Sequence, residues 1–142
     1  IKERVLGAEH PATATSLNNL GFLLRAMGQL AEARPYYERS LAIWERVLGA
    51  EHPATATSLF NLGKLLQEMG NYAESIPYLQ RELAVCEYRQ GLSHPDTLYS
   101  VVNLRKVLLE MGEEKQADVL VQRVLQDEQA AAVLQQMMEG EG

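Results

Sequence analysis

Residues 3–21 read ERVLGAEHPATATSLNNLG and residues 45–63 read ERVLGAEHPATATSLFNLG, with Asn18 against Phe60 as the single difference. The offset is 42 residues, and a third, diverged copy keeps the phase: His10, His52 and His94 each precede a proline, and Gly28, Gly70 and Gly112 each follow a methionine. A period of roughly 20 to 50 residues marks a stacked-repeat architecture, in which each unit leaves an apolar face open and buries it against its neighbour.

Each unit reads as two helices. Pro11 suits the first position of a helix because its missing N–H would be unpaired there anyway, and Leu17, Leu20, Gly21 and Leu24 follow at three- and four-residue spacing. Gly28 after Met27 signals a left-handed cap, and a second periodic run extends from Leu30 to about Leu48, before Gly49. The same reading gives Pro53–Met69 and Tyr72 to about Arg89, then Pro95–Met111 and a run starting near Glu114. Connections this short force antiparallel hairpins. Pro35 and Pro77 fall about one turn into the second helices, where each removes a backbone hydrogen bond, unless these helices begin later with proline in the first turn. From Gln126 to Met138 there is no proline or glycine, so the last second helix is expected to run on, with the terminal EGEG frayed. The expected organisation is the end of a truncated preceding unit (1–10), units at 11–52, 53–94 and 95–128, and a helical extension with a tail (129–142). IKERVLGAEH at the start matches IWERVLGAEH at Ile43–His52, so the sequence reads as a piece of a longer array.

Composition removes several functions. A net charge of −6 and a pI near 5.1 leave no basic stripe for a phosphate backbone, so nucleic acid is not an expected partner. No apolar run reaches the roughly 18 residues of a membrane span. Cys86 stands alone, which suggests a reducing, cytoplasmic setting without a disulfide framework. The histidines recur once per unit, so equivalent residues lie roughly 10 to 20 Å apart, too far to share a tetrahedral metal. They are expected in loops or at helix entries. Ser93, His94 and Asp96 crowd one turn and cannot form a relayed triad, and Cys86, in register with Trp44, reads as a packing residue. No catalytic constellation, metal site or cofactor motif is found, so the chain is not expected to be an enzyme.

A period of 42 alone suits HEAT or armadillo arrays, but the residues point elsewhere. NLG at Asn19–Gly21 and Asn61–Gly63, Leu17 and Leu59 three residues before the leucine, Ala33, Tyr36, Tyr37 and Leu41, and Tyr72, Tyr78 and Leu83 resemble the tetratricopeptide repeat pattern. The linker at Val47–Thr55 resembles the 42-residue variety of kinesin light chains and of repeat arrays in bacterial signalling proteins. The resemblance implies an all-α, right-handed superhelical solenoid whose first helices line a concave groove. Arg105, in register with Gly21 and Gly63, is expected to loosen the third unit, and Glu114 stands where Leu30 and Tyr72 are apolar.

On the side of the first helices opposite Leu17, Leu20 and Leu24 lie Thr15, Asn18, Asn19, Phe22 and Arg25, with Phe60, Asn61 and Lys64, then Tyr99, Asn103 and Lys106, as register partners further along. The resemblance implies that Asn19, Asn61 and Asn103 form a ladder gripping the backbone of an extended peptide. Lys64, Lys106 and Arg25 then make the groove locally basic and favour an acidic segment, while Phe22, Phe60 and Tyr99 offer apolar contacts. The clamp of chaperone-binding relatives is absent, since Asn18 and Phe22 replace its lysine and asparagine and only Asn61 matches. The leading expectation is a module binding a protein or peptide. The alternatives are a self-associating scaffold that stacks through open repeat ends, and the sensor array of a larger signalling ATPase.

Overall fold

Each first helix begins at a histidine that caps it. His10, His52 and His94 have extended backbone, and their Nδ1 atoms accept from the N–H of Ala12, Ala54 and Asp96 at 3.0, 3.0 and 3.1 Å. One donor of the open first turn is thereby satisfied, and the following proline needs none. A computed structural model of the protein describes residues 10–141. Among these residues it is built of α1 (Pro11–Ala26), α2 (Leu30–Leu48), α3 (Pro53–Glu68), α4 (Tyr72–Gln90), α5 (Pro95–Glu110), α6 (Glu114–Leu125) and α7 (Glu128–Glu141). The expectation that residues 1–10 finish a preceding unit lies, His10 apart, outside the described residues.

Gly28, Gly70 and Gly112 end the first helices with φ of +81°, +81° and +76°, a conformation other residues adopt only under strain. Pro35 and Pro77 lie inside α2 and α4. The helices pair as α1–α2, α3–α4 and α5–α6, and each second helix also packs on the next first helix, giving a right-handed superhelical solenoid. The core runs through α3, where Leu59, Leu62, Leu65 and Leu66 are at most 1% exposed. Each such leucine contributes about 1.5 to 3 kcal/mol through burial. Gly21 and Gly63 let the paired helices close, because a Cβ would stand 2.9 Å from Tyr37 Cδ1 and 2.7 Å from Leu79 Cδ2 respectively. Arg105 occupies that register in the third unit and is exposed, and α6 has 12 residues where α2 and α4 have 19.

Two expectations fail at the C-terminal end. The second helix of the third unit does not run on: it stops at Leu125, and Asp127 Oδ1 accepts from the N–H of Ala130 at 2.9 Å to start α7. An aspartate with a free oxygen competes for helix N–H groups and so favours a new start over continuation. α7 folds back on α5 and α6, burying Ala130 and Leu134. Its helix includes residues 139–141, which were expected to be frayed. No described helix is long and apolar enough to cross a membrane.

Candidate functional site

The three ladder asparagines stand in three different environments. Asn19 is exposed, Asn61 is half-buried, and Asn103 is 6% exposed. Asn61 Nδ2 donates to Asn18 Oδ1 at 3.1 Å, so these two amides join α1 to α3. The position that Asn18 holds for Asn61 is held for Asn103 by Phe60, which has no acceptor to offer. Asn103 Nδ2 accordingly has no hydrogen-bond partner. Equal spacing in sequence therefore does not give three equal ligands, because each amide meets a different residue of the unit before it.

The expected basic strip is also thinner than the sequence suggests. Arg25 is held by Glu68, Nε to Oε1 at 2.6 Å, and its charge is neutralised between α1 and α3. Lys64, half-buried, and Lys106, exposed, form no ion pair among the described residues. Phe22 is 58% and Tyr99 52% exposed, whereas Phe60 is half-buried, its ring centroid 6.1 Å from that of Tyr99 at an interplanar angle of 49°. Of the ten expected residues, Asn19, Phe22, Lys64, Lys106 and Tyr99 remain available. Asn18, Asn61 and Arg25 are tied between units, Asn103 is buried, and Phe60 is half-buried against Tyr99. The second helices are joined by ion pairs that repeat with the sequence: Arg81 to Glu45, then Arg123 Nη1 to Glu87 Oε1 at 2.6 Å.

One cluster escaped the sequence reading. Glu82 of α4 is 6% exposed, and its Oε2 accepts from Ser100 Oγ at 2.8 Å and from Cys86 Sγ at 2.9 Å. Burial pushes the Glu82 carboxyl above the usual carboxylate range, against the two hydrogen bonds, which lower it. Burial, together with the neighbouring carboxylate, pushes the Cys86 thiol up to about 12. Cys86 is thus a protonated donor at neutral pH, not a nucleophile. The signal was present in sequence: at 42-residue offset Glu82 replaces Ser40 and Cys86 replaces Trp44. No group of three or more described His, Cys, Asp or Glu residues is arranged to hold a metal ion.

The tetratricopeptide repeat family model matches residues 12–87. Among solved structures, BtubC (BKLC) from P. vanneervenii superposes with a TM-score of 0.79 over 96% of this chain and 52% of its own, at 23% identity. A putative kinesin light chain with nearly identical TPR-like repeats from Podosopora anserina gives 0.73 at 26% identity, over 96% of this chain and 62% of that one. A substituted form of that same protein gives 0.74 at 25% identity, over 97% of this chain and 62% of that one. The chain thus spans roughly half to three-fifths of the length of these structures. No curated protein matches it significantly.

Proposed function

The chain belongs to the tetratricopeptide repeat family, and from that premise we propose that it binds an extended partner segment along the wall of α1, α3 and α5. Members of this family serve as protein-interaction or scaffold modules. The observation that carries the reading is the pair Lys64 and Lys106, one repeat apart on that wall and without ion pairs among the described residues, on a chain of net charge −6. Unneutralised lysines in register present a charge ladder, which steers and orients an acidic segment. Asn19 adds an exposed amide, and Phe22 and Tyr99 add apolar surface. Asn61 and Asn103 serve by spacing the helices.

A peptide-library selection on the intact chain tests this. Acid-containing peptides should be enriched, and Lys64→Glu with Lys106→Glu should reduce their capture by about ten-fold or more, roughly 1.4 kcal/mol, with helicity unchanged. Enrichment without acids would remove the charge argument, and no enrichment at all would remove the recognition reading.

A second reading has its own support. Leu20 and Leu23 of α1 are 40% and 55% exposed, while their register partners Leu62 and Leu65 are 1% and 0% exposed. A face of this kind accepts the second helix of another repeat, of the same chain or of another copy, and the second case is the scaffold role. Sedimentation over a concentration series separates the two, since a strictly monomeric chain rules out stacking between copies.

A further inference from the structure

The corner between the second and third units departs from the corner between the first and second in four places together. Across the 42-residue offset Asn18 becomes Phe60, Ser40 becomes Glu82, Trp44 becomes Cys86 and Thr57 becomes Tyr99. In the first unit Ser40 Oγ donates to the Ala14 carbonyl at 2.8 Å, and Trp44 packs on the cluster of Ala14, Leu17 and Ile43. In the second unit a cysteine stands where that indole would fill space. A cavity of about 390 Å³ lies there between α3, α4 and α5, lined among others by Ala56, Phe60, Glu82, Cys86, Tyr99 and Ser100.

Its polar wall is incomplete. Glu82 is more than nine-tenths buried, Oε2 is doubly hydrogen-bonded, and Oε1 has no partner. Arg89, the cation on the rim, donates to the Glu51 carbonyl at 3.1 Å and forms no ion pair with Glu82. We propose that this notch receives the cationic tip of a lysine or arginine side chain carried by a partner segment. Three features set the sign. Glu82 offers a buried carboxylate acceptor, Asp96 places a second carboxylate in the first turn of α5 at the mouth, and the paired Phe60 and Tyr99 rings suit an alkyl stem ending in a cation. The N-termini of α3 and α5 border the notch and favour anions, but those ends carry partial charges, part-satisfied by His52 and His94. Lys64 follows Phe60 by one turn, so a segment bearing a base in the notch and an acid beyond it would match both charges. The identity of the carrier rests on the interaction-module reading; the chemistry of the notch does not.

The test uses single-residue probes on the intact chain: Nα-acetyl-lysine methylamide, the norleucine analogue with the same stem and no charge, and the glutamate analogue. Saturable NMR shifts at Phe60, Tyr99 and Ser100 should show the lysine probe binding about ten-fold or more tightly than norleucine, with none from glutamate. Glu82→Gln should erase that preference. Cys86→Trp, which restores the filling seen at Trp44, should abolish binding and supplies the answer if Glu82→Gln fails to fold. Equal binding of norleucine, preference for glutamate, no saturable shift from any probe, or a lysine preference that survives Glu82→Gln would overturn the proposal. A failed peptide selection with a positive lysine titration would remove only the groove reading.

Discussion

Helices α1 and α3 are near-copies, differing before their central glycines only at Asn18 and Phe60, yet they live in different surroundings. Leu20 is 40% exposed and Leu62 is 1% exposed; Leu23 is 55% exposed and Leu65 is fully buried. In a stack, then, a residue's burial is decided by the unit before it as much as by its own helix, and identical sequence carries unequal stability.

Paired truncations should expose that inequality most strongly. Leu62→Ala is expected to cost about 2 to 5 kcal/mol, because it opens a cavity in a closed layer, while Leu20→Ala should stay within about 1 kcal/mol. Urea unfolding of the two variants against the parent chain measures both. Equal losses would mean that α1 is covered in solution.

The single difference between the copies can be exchanged directly. Asn18→Phe deprives Asn61 Nδ2 of its acceptor and places it in the position of Asn103, so a loss of about 1 to 3 kcal/mol is expected. In the Asn18→Phe background, Asn61→Ala should then cost less than it does alone. A double-mutant cycle reads this coupling, and additive losses would show that the amide pair contributes nothing.

The sequence displayed the fold because everything that defines it is local or periodic: histidine and proline at each helix start, glycine at each end, leucines at helical spacing, and a strict 42-residue phase. It did not display the state of the groove residues. The partner of Asn61 lies 43 residues away, as does the partner of Arg25, and each is chosen by the offset between adjacent first helices. The Glu82 notch was half legible. The exchange of Trp44 for Cys86 is visible, but the resulting space and the incoming carboxylate become one feature only when α3, α4 and α5 meet. Asp127 was missed because a polar residue in a helical run looks like a solvated face until its oxygen is seen to cap α7.

The buried carboxylate distinguishes the second unit from the first by its response to pH. Burial raises the folded value of Glu82 above its unfolded one, near 4.5, so the folded state holds the proton more tightly. Stability from this group is therefore present at low pH and is lost as pH rises from about 4.5 through the raised folded value. Asp96, facing it from α5, adds to the effect, while Cys86 and Ser100 oppose it through their hydrogen bonds. Subtracting the stability of Glu82→Gln from that of the parent chain across this window should give a falling difference. A flat one would mean that Glu82 titrates as it does when unfolded.

The smallest effect should come from Arg25, whose register partner in the second unit is Gln67. Its ion pair with Glu68 is about one-third exposed on both sides, which places its contribution at about 1 kcal/mol or less after screening. Arg25→Gln makes the first unit resemble the second at this point. The stability difference should shrink towards zero in 1 M salt, where the screening length is about 3 Å. Peptide capture should stay unchanged, because the guanidinium is already committed to Glu68. A clear loss of capture of acidic peptides would instead mean that Arg25 leaves Glu68 to meet the ligand, and the basic strip would then extend over all three units rather than beginning at Lys64.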